Sequence, residues 1–210
     1  MVNAVALDDV VNAAEKTAGI TLTGSNEAGA SVKINLGGAD IDLGTVAGTS
    51  WSYTLDAAAV AALGEGAKTL TATQTDAAGN SSTGSRPFTI DTMAPAAPTI
   101  NTVAGDNTFN STEAGSAITG TAEANATVTL SLGGQTVTAI ADGSGNWTYT
   151  LTPADITAMG QGPETISVTQ VDLSGNTSAP ATQAITVDTL VPAAPTINTV
   201  AGDNVVGATE

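Results

Sequence analysis

Hydrophobic residues in this chain recur at every second position in short runs, and nearly every run ends at glycine, asparagine, aspartate or proline. In residues 126–132, Val128, Leu130 and Leu132 fall on one side and threonine and serine on the other. Trp147, Tyr149 and Leu151 alternate with polar residues in the same way, as do Ile185 and Val187. A period of two is the signature of a half-buried β-strand, so these faces point inward. In the half of the chain from 98 to 188 the pattern predicts strands near 98–103, 117–122, 126–132, 135–141, 147–151, 164–171 and 182–188. Gly133 and Gly134 supply the positive φ that a tight hairpin turn requires. Between the fifth and sixth strands, TPADITAMGQG predicts one helical turn closed by Gly160, and DAAAVAALGEG predicts the same turn closed by Gly64. Seven strands with no long helix predict an all-β immunoglobulin-like Greek-key sandwich.

The pattern occurs twice. Residues 93–113 and 190–210 match at fifteen of 21 positions at an offset of 97, and residues from Asn3 onward are a weaker copy of those from Asn101 at an offset of 98. Trp51, Tyr53 and Leu55 correspond to Trp147, Tyr149 and Leu151 at an offset of 96, and Lys16 and Thr17 are an insertion in the first unit. Repeats this long are bead-on-string domains and not solenoid turns. The expected organisation is a sandwich over 1–92, a linker at 93–97, a sandwich over 98–189, and the start of a third repeat over 190–210. Such a chain reads as a fragment of a longer repeat protein, with a partly ordered tail from 190. Pro95 and Pro98 fix φ twice near the linker and favour an extended path.

Composition narrows the chemistry. Twenty acidic residues face four basic ones, for a formal net charge of −16. Such a surface repels phosphate backbones and anionic lipid, which argues against nucleic-acid partners and direct membrane contact and in favour of cations. The chain has no histidine and no cysteine, which removes the commonest catalytic base, Ser/His/Asp triads and thiolate metal sites together. No enzyme activity is expected. Trp51 and Trp147 suit core packing better than sugar stacking, because each alternates with Tyr and Leu on one strand face.

The acids that remain have a pattern. Alternating strand directions place Asp8, Asp9, Glu15 and Asp91 at the far end of the first unit, and Asp106, Asn107, Glu113 and Asp188 at the far end of the second. Glu123, Asn125, Asp172 and Asn176 fall at the near end of the second unit, and Asp76 matches Asp172. Stacking the units end to end crowds carboxylates at the junction, where a bound cation relieves their repulsion. Calcium takes six to eight oxygen ligands, whereas zinc favours nitrogen and sulfur. Calcium is therefore the expected ion, with Asp8, Asp9, Glu15, Asp76, Asp91, Asp106, Asn107, Glu113, Asp172 and Asp188 as candidate ligands. The competing reading is a plain turn, since Asp, Gly and Asn are favoured in turns for backbone reasons. The loop at 142–146 is read that way, because the first unit lacks it.

The DTMAPAAPTI and DTLVPAAPTI links, the NWTYTL strand, the DAAGN and DLSGN loops, and the ITLTG and AITGTA strands together resemble the bacterial Ig-like domains repeated in giant surface adhesins. The resemblance spans the whole chain. It implies an extracellular protein of the type I-secreted kind, a monomeric spacer or extender that projects a distal binding region for adhesion or biofilm formation. It also implies calcium at domain junctions and neighbouring repeats of the same chain as partners. Two other roles stay open: domains that themselves bind a glycan or a host protein, and a spacer in a secreted hydrolase.

Overall fold

The computed structural model describes residues 1–113 and 115–198. The first unit contains β1 (Val10–Val11), α1 (Ala13–Ala18), β2 (Ile20–Ser25), β3 (Ser31–Leu36), β4 (Ala39–Thr45), β5 (Ser50–Leu55), α2 (Ala57–Leu63), β6 (Gly66–Thr75) and β7 (Ser81–Ile90). The second contains β8 (Thr108–Asn110), β9 (Ala117–Thr121), β10 (Thr127–Leu132), β11 (Gln135–Ile140), β12 (Asn146–Thr150), α3 (Pro153–Met159), β13 (Gly162–Val171) and β14 (Ala181–Asp188). Each unit packs a five-stranded sheet, in the order β1-β7-β6-β3-β4 or β11-β10-β13-β14-β8, against a smaller sheet of β2 with β5 or β9 with β12. Both are immunoglobulin-like sandwiches.

The alternation read from sequence is the alternation of burial. Val128, Leu130 and Leu132 are fully buried, as are Trp147 and Leu151. Removing such side chains from water contributes about 1.5–3 kcal/mol each. The described core of one unit, centred on Leu22, Ile34, Trp51 and Leu70, shares no residue with that of the other, centred on Phe109, Leu130, Trp147 and Ile166. Each unit is thus a domain with its own hydrophobic interior.

The first strand of each unit differs from expectation, and for a physical reason. Residues 98–103 form no continuous strand. Thr99 and Asn101 donate their N–H groups to Thr121 and Thr119 at 2.8 Å, and the chain then crosses to the other sheet, where β8 runs parallel to β14. The first unit does the same through Asn3, Thr23 and the parallel pair β1 and β7. The crossing needs left-handed backbone, adopted by Ala6, Leu7 and Asp9 in one unit and by Ala104, Gly105 and Asn107 in the other. Asp and Asn tolerate that region because their side chains bond locally. The Asp9 Oδ1 accepts the Val5 N–H at 3.0 Å, and the Asn107 Oδ1 accepts the Val103 N–H at 2.9 Å.

Close approach of this first segment explains one glycine in each second strand. A Cβ on Gly120 would lie 1.9 Å from the Thr99 carbonyl oxygen and 2.7 Å from Trp147 Cζ2. Only glycine leaves room for the chain and the indole together.

Helix α1 was not expected. Its six residues include the inserted Lys16 and Thr17, which lengthen the loop enough for a helical turn. Asn12 caps it, accepting from Ala14 and Glu15 N–H at 3.0 Å, and Glu15 returns a bond from the Asn12 N–H. This reciprocal cap satisfies groups that a short helix otherwise leaves unpaired. The predicted turns before β6 and β13 are α2 and α3, ending at Gly64 and Gly160.

Candidate functional site

The loop Asp172–Asn176 between β13 and β14 meets the far end of the first domain. Its shape comes from its own side chain: Asp172 Oδ1 accepts the N–H groups of Ser174 and Asn176 at 2.9 and 2.8 Å, while Gly175 takes a positive φ. Asn176, only 2% exposed, is thereby aimed across the junction. Its Nδ2 donates to the Asp91 carbonyl at 2.9 Å and to Asp172 Oδ2 at 3.1 Å. Its Oδ1 accepts the Ala13 N–H at 2.9 Å. That N–H belongs to the first turn of α1, so an amide from the second domain completes the capping of a helix in the first. Ser174 Oγ donates to Asp91 Oδ2 at 2.7 Å. The linker is also held, since the Gln170 Nε2 donates to the Ala96 carbonyl at 2.6 Å, and Pro95 and Pro98 are buried.

Of the candidate ligands, the structure brings Asp91 and Asp172 together in one hydrogen-bonded cluster with Asn176, Ser174 and Ala13. Glu15 lies on α1, with its carboxylate bonded to the Asn12 N–H. The others are used differently. Asp8 and Asp106 accept the N–H groups of Val10 and Thr108 and close the crossing turns. Glu113 bonds the Asn110 N–H at 2.9 Å, as Glu15 does at Asn12. Asp188 ends β14, and its Oδ1 accepts the Leu190 N–H at 3.3 Å.

Asp9 is held by a side chain of its own domain. Arg86 grips its carboxylate with Nε and Nη2, Nε lying 2.8 Å from Oδ1. Arg86 holds the Asp9 carboxyl below the ordinary aspartate value, helped by the Val5 N–H and opposed by burial. Its charge is paired with that of Arg86. Asn107, the counterpart in the second unit, occupies the same turn with an uncharged amide.

Asp76 builds the DAAGN turn, accepting from the Ala78 and Asn80 N–H groups and from Asn80 Nδ2, all at 2.8 Å. Asn80 first, through its side chain, holds this carboxyl below its ordinary value. Asp142 forms the same turn with Ser144 and Asn146. The three D-x-x-G-N loops share one turn pattern, and among the described residues only the one at Asp172 reaches another domain's residues through hydrogen bonds.

Sequence reading placed Asn176 at the near end of the second unit but not among the ligands, and gave Ser174 and Asn12 no role. Ser174 carries a visible signal, since Ala78 stands at its place in the first unit. The bridge itself has none, because its partners lie 85 and 163 residues away.

The donor set is oxygen only: carboxylates of Asp91 and Asp172, the Asp91 carbonyl, the Asn176 amide oxygen and the Ser174 hydroxyl. Among the described residues no three acids stand close enough to form a cage on their own. The chemistry fits a hard cation whose shell is completed by neutral oxygens and water. The Asn176 amide nitrogen now bonds two of those oxygens, so it and an ion compete for them.

Comparison with known proteins gives two family matches, a bacterial Ig-like domain over residues 6–92 and a bacterial Ig domain over 94–188. No curated protein matches the chain. Among solved structures, a Ca2+-stabilised adhesin that helps an Antarctic bacterium reach out and bind ice is 30% identical over all of this chain, with a TM-score of 0.54. A 1.5-MDa bacterial ice-binding adhesin, solved for its host cell surface retention, is 30% identical over 90% of the chain, with a TM-score of 0.52. The chain spans 54% and 64% of those two structures. The fibronectin(III)-like modules of Clostridium thermocellum CbhA share the fold at 15% identity and a TM-score of 0.50.

Proposed function

This chain belongs to the bacterial Ig-like domains, and from that premise we propose that it is a non-enzymatic, extracellular spacer of a bacterial surface adhesin whose domain junction is stiffened by calcium. The observation that carries the reading is the docking of the DLSGN loop on Asp91 and α1. It brings two carboxylates and several neutral oxygens from both domains to one place.

Asp91 and Asp172 would hold the ion through their carboxylates, with the Asp91 carbonyl, Asn176 and Ser174 as neutral donors and Glu15 in reserve on α1. When bound, calcium supplies a charge that both domains share. Ligands from both sides make bending cost ion contacts, so the joint stiffens. Binding that favours the docked state also stabilises by about 2.7 kcal/mol at 100-fold saturation, support that a chain without disulfides lacks otherwise. Asp188, followed by a second Pro-Ala-Ala-Pro link, occupies the place of Asp91 at the next junction. The ten-residue strands β6 and β7 span roughly 33 Å at strand rise, so many copies would carry a distal region far from a cell. Attachment or biofilm formation by the whole adhesin follows from that reach, as does export by type I secretion from the family resemblance.

The test is calcium titration by calorimetry on the whole chain. Asp91→Ala is expected to lose about tenfold or more in affinity at one site, and Asp76→Ala to keep that site. Unchanged binding in Asp91→Ala would remove the junction from the account.

A further inference from the structure

Among the described residues, β1, β4, β8 and β11 lie outermost in the five-stranded sheets, and three of them are closed to further pairing. β1 and β8 are two and three residues long, too short to template a partner strand. β4 is long enough, but Asp40 and Asp42 stand on it. Its register on β3 also shifts between Val32 and Lys33, beside Gly44 at positive φ. Charge and a bulge of this kind keep a sheet edge from pairing with another chain.

β11 has neither device. Its pairing with β10 is regular from Gln135 to Ile140, and the two strands contain no charged residue. Thr136 and Thr138 oppose Ser131 and Thr129, as Asp40 and Asp42 oppose Asn35 and Lys33 in the first domain. Two threonines therefore stand where the other edge has carboxylates. The Ala141 N–H bonds the Ala126 carbonyl at 3.0 Å, which fixes the parity of the ladder. Odd positions bond β10, and the N–H and C=O groups of Thr136, Thr138 and Ile140 point outward. Among the described residues no strand pairs with that side of β11. All three residues are exposed, Ile140 by 73%.

We propose that β11 is a homophilic docking edge, and that β11 of a second copy of the chain pairs with it antiparallel across a two-fold axis at Thr138. The strand is complementary to itself in that register. Thr138 faces Thr138 of the second copy, and Thr136 faces Ile140. Each outward N–H then meets an outward carbonyl, for about six bonds in all. The Thr–Thr pair is favourable across strands, and Ile140 is shielded from water by Thr136 of the second copy. An interface of this kind presents the same patch on both copies, so it closes at two.

Charge selects the second copy's β11 as the occupant. The same register on β4 would set Asp42 against Asp42, and β4 on β11 would carry two carboxylates into a neutral seam. In a chain of net charge −16, the β11 edge lets two copies meet with no carboxylate between the paired strands. Screening the remaining long-range repulsion with salt strengthens the association. Because the strands run between the two ends of each domain, antiparallel pairing sets the copies in opposite directions. On the spacer reading, on which this step alone rests, that is the arrangement of rods reaching out from two facing cells.

Sedimentation velocity on the whole chain at concentrations up to about 1 mM tests this, a range suited to so small a contact. The expected result is a monomer–dimer equilibrium that tightens with salt and survives Ala39→Lys on β4. It is lost in Thr138→Lys, which sets two ammonium groups directly opposite each other. Both changes fall at exposed positions and leave the domains folded. The chain has no cysteine, so the register is read by cross-linking. Opposed residues of a hydrogen-bonded pair have Cα atoms about 5.5 Å apart, within disulfide reach, whereas the two Thr136 sites lie about 14 Å apart along the strands. Thr138→Cys is expected to give a disulfide-linked dimer under mild oxidation, and Thr136→Cys to remain monomeric. A single monomeric species at every concentration overturns the proposal. So does association that survives Thr138→Lys or grows beyond the dimer, or equal cross-linking of the two cysteine variants. None of these outcomes bears on the calcium titration of Asp91→Ala, so the edge and the junction stand or fall separately.

Discussion

The first and second domains solve the same corner of the fold with different chemistry. Where the chain crosses between sheets, the first uses a charged pair, Asp9 with Arg86. The second places Asn107 and Gln183 at those positions and closes the turn with a neutral bond to Val103. The next loop is a capped helix in the first domain and a short turn ending at Glu113 in the second. Both domains still place the same strands in the same sheets. The lesson is that acids in these loops are recruited first by the backbone. Their number does not report a metal site. What distinguishes Asp91 is that Ser174 and Asn176 of the other domain bond it, and what distinguishes Asp172 is that the loop it builds carries those two residues, whereas the bonds of Asp8, Asp76 and Asp106 close loops that bond no residue of the other domain.

The largest expected effect comes from removing a feature both domains share. Gly120→Val puts a branched side chain where a Cβ already meets the Thr99 carbonyl at 1.9 Å, and is expected to cost the second domain about 3 kcal/mol in urea unfolding. A loss under about 0.5 kcal/mol would mean that the first segment does not lie across this strand.

An intermediate effect separates the two equivalent asparagines. Asn176→Ala strands the Ala13 N–H and the Asp91 carbonyl, at a cost of about 2 kcal/mol, and should raise hydrogen exchange at Ala13 most after chelation. Asn80→Ala disturbs only its own exposed loop and should leave exchange at Ala13 unchanged. Equal exchange at Ala13 in both variants would erase the distinction between a bridging loop and a plain turn.

The smallest effect is at the charged corner. Asp9→Asn and Arg86→Gln should each lower the melting temperature of the first domain by about 2 °C or less, and the double change, which copies the second domain, should recover part of it. The pH dependence has a definite sign. Asp9 titrates below 3.8 when folded, through the Arg86 hydrogen bond first and the Val5 N–H next. Its stabilisation is complete above 3.8 and is lost as pH falls through the lower folded value. Asp9→Asn should therefore flatten the acid limb of the first domain alone.

Strands were legible because one face of each is buried, and a period of two survives in residues such as Val128, Leu130 and Leu132. The helical turns before β6 and β13 were legible from glycine following a short apolar run. Helix α1 was not, since its cause is a two-residue insertion whose effect depends on the cap at Asn12 and on an amide from the other domain. The split first strand escaped as well, because its parallel partners, two residues in one unit and three in the other, are too short to show a period. At the candidate site, Asp91 and Asp172 could be read from strand direction and repeat position. Asn176 could not be read as the bridge, because a buried amide between two domains has the same sequence neighbourhood as the exposed one at Asn80.

The claim on which the rest depends is that an ion held by Asp91 and Asp172 makes the two domains one stiff unit. Small-angle scattering of the whole chain in calcium, and again after chelation, tests it directly. The account predicts a longer, narrower distribution of dimensions in calcium and a broader one without it, with Asp91→Ala resembling the chelated protein in both conditions. Identical scattering profiles with and without calcium would contradict it.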